Sequence, residues 1–365
     1  MLEKQTLMQK YIADSPRETE SYLINALDDN SVKLIRKMAA KQPVILTGCG
    51  TSYHLALLGA RYLQSVALID ARAIPSFDLT WYQPEFAEGK IVIAISQSGA
   101  SKATRDAIAK VKQHNAYVVS ITGSDETPMA LESDIHLVLP GGRETALPKT
   151  RVYTTGAVQL LRLAFETRKL SDSQILDPFP KPEDLRSAME QVLAENRETI
   201  NLAATEWNKY EMFTFVGGGP AWVLACESAL KMRENNYTFA EGYEVEEFAH
   251  GRTCSFAQDR PFIAFAFKGP SVERIYDVIS NARYLNAPTM SIVEDGVDSL
   301  PEVDYTLAIP SMPSEFTTAI VAGLPMQLFS HQFTLIRGID PDTIRMDQPD
   351  FKFAHKKWIF PPGTH

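Results

Sequence analysis

The chain has few cysteines, no excess of basic charge and no long apolar run, and each shortage narrows what it can be. Cys49, Cys226 and Cys254 are an odd number with no metal-ligand spacing, which speaks against a disulfide framework or a zinc site and for a reduced, cytoplasmic protein. With 36 Lys and Arg against 45 Asp and Glu, the formal charge is −9, so neither nucleic acid nor an anionic membrane surface is an expected partner. No run of about 18 apolar residues occurs, and the N-terminal "MLEKQTLMQKYIADSPRETE" lacks the apolar core of a signal peptide. No membrane segment is therefore expected. A GxxxxGK[ST] loop is absent, and no GxGxxG follows an apolar run, which excludes a Walker loop and a dinucleotide fingerprint. No ligand cluster calls for a metal, and no cofactor is expected.

What is there fits two domains: 365 residues, 45% hydrophobic and 22% charged, enough to bury a substantial core. Short apolar runs bounded by glycine or polar turns start at Val44 ("VILTGCG"), Ile91 ("IVIAISQSG"), Tyr117 ("YVVSITG") and Ile135 ("IHLVLP"). Stretches with helical spacing, such as "HLALLGARYLQ" and "KATRDAIAKVKQH", separate them. Strand then helix, repeated, predicts a parallel sheet covered on both faces. The pattern returns at Met212 ("MFTFVGGG"), Phe262 ("FIAFAFKG"), Pro288 ("PTMSIVEDG") and Tyr305 ("YTLAIP"), 168, 171, 171 and 170 residues later. So constant an interval indicates a tandem duplication. The fold class is α/β, with two tandem domains, each a parallel sheet flanked by helices. The expected layout is an N-terminal helical segment at 1–35, a first domain at 36–168, a linker at 169–200 containing the proline- and acid-rich "KLSDSQILDPFPKPEDL", a second domain at 201–340 and a tail at 341–365.

Two turns at the carboxyl ends of first-half strands, "TGCGTSYH" and "SQSGAS", crowd hydroxyls around glycine. Ligands bind there in open parallel sheets, because helix N-termini point backbone N–H groups outward. Thr51, Ser52, Ser96, Gln97, Ser98 and Ser101 offer the many short donors that a phosphate monoester needs. Serine also caps helices well, so helix capping is the competing explanation for each loop taken alone. The second-half equivalents, "GGGPAW" and "FKGPSV", have lost most hydroxyls, which confines the expected anion site to the first half.

"GCGTSYH", "SQSGAS" and the tandem α/β repeat resemble the sugar isomerase (SIS) domain family, and the motif order is similar to the isomerase half of glucosamine-6-phosphate synthases. The resemblance covers nearly the whole chain, including "LMQKYIADSPRE" at its start. It implies that the two turns hold the 6-phosphate of a sugar, with Ser101 where the family usually has threonine. The stretch "ETALPKTRVYTTG", with Leu147, is the counterpart of the family's "ExGVASTKAFTTQ", and there Lys149 replaces a small residue, so the sugar-facing side is expected to be shaped differently.

In "ESALKMRENNYTFAEGYEVEEFAHG", Lys231 and Glu234 are three apart and share a helix face, where an ion pair would orient the carboxylate. A solvated helix with surface charge pairs has the same spacing. His250 follows 16 residues after Glu234, beyond an expected break at Gly242. The resemblance implies that Glu234 moves the proton between C1 and C2, that His250 opens the ring from a neighbouring subunit, and that Lys231 supports charge on the intermediate. It therefore implies a homodimer with a shared site. In the tail "IRMDQPDFKFAHKKWIFPPGTH", the family's carbonyl-covering lysine aligns with Ala354, between Lys352 and Lys356, and Lys356 is the candidate. His355 is either a second candidate there or an exposed tail residue, and His54 either touches substrate or, as is commoner, lies on the helix surface.

No segment precedes the isomerase-like region here, and no cysteine lies before Cys49, so synthesis from glutamine is not expected of this chain alone. The same proton transfer run the other way gives an amine-releasing reaction on an amino-sugar 6-phosphate, of the fructosamine-6-phosphate deglycase or glucosamine-6-phosphate deaminase type. A phosphosugar isomerase without amine release and a non-catalytic sugar-phosphate sensor are the alternatives. Sensors usually lack the catalytic pair that Glu234 and His250 supply.

Overall fold

The computed structural model describes residues 5–171, 179–298 and 300–360. The first half runs α1 (Leu7–Ile24), α2 (Asp29–Ala39), β1 (Val44–Thr47), α3 (Thr51–Ser65), β2 (Ala71–Ala73), α4 (Ser76–Trp81), β3 (Ile91–Ser96), α5 (Lys102–Lys112), β4 (Tyr117–Thr122), α6 (Pro128–Glu132), β5 (Ile135–Val138) and α7 (Arg151–Ser171). The second runs α8 (Pro182–Glu195), α9 (Arg197–Trp207), β6 (Met212–Gly217), α10 (Gly219–Asn236), β7 (Phe239–Glu244), α11 (Val245–Ala249), β8 (Phe262–Ala266), α12 (Val272–Tyr284), β9 (Thr289–Glu294), β10 (Tyr305–Ile309), α13 (Glu315–Ile336) and α14 (Pro349–Ala354).

Each half holds one five-stranded, wholly parallel sheet. The orders are β2-β1-β3-β4-β5 and β7-β6-β8-β9-β10, the same arrangement twice. Helices cover both faces, so central strands read as unbroken apolar runs: all six residues of β3 are buried. In the first sheet Val92, Ala94 and Val118 pack with Ala107, Ile108 and Val111 of α5. In the second, Val216, Phe262 and Ala264 pack with Ile275, Val278 and Ile279 of α12.

Two compact units follow from this. One comprises the described residues of Arg17–Thr145, Arg151–Phe179 and Met346–His365, and contains the first sheet. The other comprises those of Met1–Pro16, Ala146–Thr150 and Pro180–Arg345, and contains the second. Of the linker expected at 169–200, residues 172–178 lie outside the described residues, and the rest is largely helical: α7 continues to Ser171, α8 opens at Pro182 and α9 follows.

One expectation needs correction, and two features went unread in the sequence. The break before His250 is not at Gly242. Helix α10 ends where Tyr237 takes a left-handed backbone, φ 63, and Gly242 lies inside β7, where a Cβ would sit 2.4 Å from the backbone N of Cys226. Glycine is there because the strand presses against α10. The edge strands β2 and β7 were not read from the apolar pattern. Finally, α13 contains an 18-residue window of mean hydropathy 1.2, long and apolar enough for a membrane span, but 83% of that window is buried within the protein. It is a core helix, packed on α8, α9 and α10.

Candidate functional site

In the sheet order 2-1-3-4-5 the connections diverge between the first and third strands, and the turns after those strands flank the opening. In the first-half unit these are residues 48–51 and 97–101. Gly50, φ 56, lets the chain leave β1 and enter α3 at once. Thr51 opens the helix and is buried, and Ser52 follows, half-buried. A chain of buried hydroxyls fastens the turn beneath: Thr47 Oγ1 lies 3.1 Å from Ser76 Oγ, and Ser76 Oγ lies 3.3 Å from Thr104 Oγ1. The sequence reading missed Thr47, Ser76 and Thr104, whose only signal is small polar residues at strand and helix ends.

In the second turn the serines do little helix capping. Ser101 occupies the N-cap position of α5, yet its side chain makes no capping hydrogen bond. Ser98 is exposed, accepts only a weak bond from the Ala100 N–H at 3.3 Å, and its Oγ is 3.5 Å from that of Ser96. These hydroxyls are not consumed by the helix. Gln97 is buried, its Nε2 donating to the Glu144 carbonyl at 3.2 Å and its own carbonyl accepting from Gly123 N–H at 3.0 Å.

Helix α10 of the other unit carries the candidate acid–base groups. Glu227, Lys231 and Glu234 stand four and three residues apart, on one helix face. Lys231 Nζ lies 2.5 Å from Glu234 Oε2 and 3.4 Å from Glu227 Oε1. The side chains of Lys231 and Glu227 are 1% and 2% exposed, and that of Glu234 is 27% exposed. A solvated surface pair is excluded by this burial. Burial is the largest influence on the Lys231 ammonium and works against it, but the fields and hydrogen bonds of Glu234 and Glu227 together outweigh it, and the pKa is raised. The ammonium is thus a permanent charge next to the one carboxylate that reaches solvent. Glu227 was not singled out from the sequence, although the E-x3-K-x2-E spacing was legible.

His250 follows α11, with its side chain 81% exposed and Nε2 3.7 Å from Glu246 Oε2. Leu147 is exposed in an extended loop, its N–H donating to the Asp342 carbonyl at 3.0 Å. Lys149 folds back on that loop, Nζ donating to the Ala146 carbonyl at 2.6 Å. In the tail, Lys356 is exposed on a π-helical turn, His355–Ile359. His355 stacks on Phe351 with centroids 4.9 Å apart and meets the edge of Phe360 at 4.8 Å. His54 is half-buried on α3.

Residues 37–164 match the SIS domain family. The glutamine–fructose-6-phosphate aminotransferase (isomerizing) of Thermococcus kodakarensis is 29% identical over 93% of this chain and 56% of its own length. The chain spans about half the length of the curated relatives it matches. Among solved structures, the C-terminal domain of glucosamine-fructose-6-phosphate aminotransferase from Francisella tularensis superposes with a TM-score of 0.84 at 21% identity, covering 93% of this chain and 98% of that one. A glucosamine-6-phosphate deaminase from Thermotoga maritima superposes with a TM-score of 0.75 at 23% identity, covering 93% and 97%. At these identities the structures establish a shared fold.

Proposed function

The chain carries a SIS domain at residues 37–164 and a second SIS-like half behind it, and from this premise we propose that it catalyses an amine-releasing aldose–ketose isomerisation of an amino-sugar 6-phosphate. The observation that carries the reading is the buried triad of Glu227, Lys231 and Glu234, in which one carboxylate stays accessible beside a fixed ammonium. Aldose–ketose chemistry needs one carboxylate to move a proton between C1 and C2 and a cation to offset charge on the enediol-like intermediate.

The 6-phosphate is assigned to Thr51, Ser52, Ser96, Gln97, Ser98 and Ser101. The lack of a side-chain cap from Ser101 supports that assignment. Glu234 takes the proton from one of the two carbons and returns it to the other. For an amine at C1 of a ketose this gives a C1 imine, and for an amine at C2 of an aldose a C2 imine. Water adds to the C=N bond and the amine leaves, giving glucose 6-phosphate from the first substrate and fructose 6-phosphate from the second. Chemistry at a carbon–nitrogen bond of a phosphorylated hexose is common to the names of the relatives, an aminotransferase acting on fructose 6-phosphate and a glucosamine-6-phosphate deaminase. The amino-acid adduct at C1 is favoured because Ala100 and Lys149 depart from the synthase pattern. His250 serves ring opening from a neighbouring subunit, and Lys356 covers the open-chain carbonyl.

The test is turnover of a panel of 6-phosphorylated aminosugars and amino-acid sugar adducts, reading free amine and hexose 6-phosphate separately. Equal amounts of both products are expected. Interconversion of unaminated hexose phosphates with no amine released would make the protein a simple isomerase, and saturable binding without any turnover would make it a sensor.

A further inference from the structure

The turn at residues 97–101 is held from behind by the segment that follows β4. The Gly123 N–H donates to the Gln97 carbonyl at 3.0 Å, and the Met129 N–H donates to the Gly99 carbonyl at 3.0 Å. Gly99 has φ +61, and a Cβ there would lie 2.3 Å from Cβ of Thr127 and 2.4 Å from its Oγ1. Thr127 thus packs directly on the glycine at the centre of the turn. Any shift of residues 123–129 is therefore passed to the turn.

A polar network around His136 of β5 fixes that segment. His136 Nε2 lies 2.9 Å from Thr122 Oγ1. Thr122 Oγ1 in turn lies 3.0 Å from Thr127 Oγ1 and donates to the Ser124 carbonyl at 2.8 Å. On the other side of the ring, Nδ1 lies 3.1 Å from Asp125 Oδ1. The imidazole is thus tied to the segment on both of its sides, through Thr122 and through Asp125. Its side chain is 12% exposed and Thr122 is fully buried, and a buried polar network holds one arrangement only while all its bonds are made.

The second half lacks this network. Thr306 stands opposite Ser291 as His136 stands opposite Ser120, and the 171-residue interval puts Val293 where Thr122 is. Among the two halves, the network is found in the one whose turns keep their hydroxyls.

We propose that His136 is a positioning residue for the 97–101 turn, holding it through Thr122 and Thr127 in the shape that receives a phosphate. The inference rests on the assignment of the sugar 6-phosphate to that turn. Hydrogen bonds to a phosphate are strong only where the donors are held in place, so loosening the turn costs affinity for the phosphorylated ligand.

The experiment titrates fructose 6-phosphate and glucose 6-phosphate by calorimetry into native protein, His136→Phe, Thr122→Val, their double variant, His136→Gln and Ser98→Ala, with thermal midpoints recorded alongside. Kd should rise about tenfold in His136→Phe and in Thr122→Val. The double variant should bind no more weakly than the weaker single one, because both changes cut the same path. His136→Gln, whose amide can still bond to Thr122, should keep most of the affinity. A purely structural role would lower the midpoint and leave Kd unchanged in the network variants, and that result overturns the inference. Additive losses in the double variant also overturn it. If Ser98→Ala weakens binding while the network variants do not, the phosphate assignment survives and only the role of His136 falls. If the native protein binds neither sugar phosphate, or Ser98→Ala also leaves Kd unchanged, the assignment falls and takes this inference with it. Should His136→Phe not fold, Thr122→Val decides by the same criterion.

Discussion

The Lys231 ammonium lies 2.5 Å from Glu234 Oε2 and is 1% exposed, whereas Glu234 retains 27% of its side-chain surface. A cation that cannot leave thus holds a base that can still be reached. Replacing Glu234 with Gln keeps shape and hydrogen bonding but removes basicity. Substrate binding should survive while turnover falls by at least about 10²-fold. Steady-state kinetics with a separate binding titration checks this, and full activity would return Glu234 to a structural role.

Removing Lys231 should do more than slow the reaction. Lys231→Met leaves Glu227, 2% exposed, without its cation, and breaking a buried pair on one side costs about 3–5 kcal/mol. Adding Glu227→Gln should recover part of that loss, because the stranded charge is gone, without restoring turnover. Urea unfolding of the single and double variants separates the two effects, and a double variant no more stable than the single one would contradict this account.

The hydroxyl turns give a binding prediction. Ser96→Ala and Ser98→Ala should each weaken affinity for a sugar 6-phosphate by about 1–3 kcal/mol, as for hydrogen bonds to a charged group, and leave unphosphorylated analogues unaffected. Unchanged affinity in both variants would reduce the turn to a helix lead-in.

How far all this was legible follows from where the side chains sit. Central strands such as β3 are buried on both faces and announced themselves as apolar runs. The edge strands β2 and β7 did not: β2 is only Ala71–Ala73, and β7, "FAEGYE", has a single buried residue. A strand that short, or that poor in buried apolar residues, carries no run for periodicity to flag. The Lys231–Glu234 pair was readable from helical spacing, but its burial was not, since burial depends on α13 and β7 packing over α10.

Acid should weaken the second-half unit through His331. This residue is buried on α13, its Nε2 2.8 Å from Thr6 Oγ1, and burial, partly opposed by the charge of Asp342, pushes its pKa down to about 4. Below about pH 6.5 the unfolded chain gains a proton that the folded chain refuses, so stability falls as pH drops from there to about 4 and then levels off. The shift corresponds to about 3 kcal/mol. In His331→Asn that part of the acid limb should vanish. Denaturant unfolding at pH 7 and pH 4.5 measures it, and parallel pH profiles for the two proteins would show that His331 is not the group responsible.

The last prediction concerns His250, whose side chain is 81% exposed, with Nε2 3.7 Å from Glu246 Oε2. So exposed a ring, proposed to open the sugar, suits a site completed by a neighbouring subunit. His250→Ala should lower turnover, and less so on substrates supplied in open-chain form, because ring opening is then unnecessary. Mixing His250→Ala with Glu234→Gln should restore activity in heterodimers, since one of the two sites regains both groups while the other loses both. Restoration toward half of the native rate per heterodimer is the expected outcome. Subunit exchange is checked independently by mass spectrometry of differently tagged chains. Exchanged but inactive mixtures would place both groups in one chain's site and remove the shared-site proposal, leaving the assignment of Glu234 to stand on its own variant.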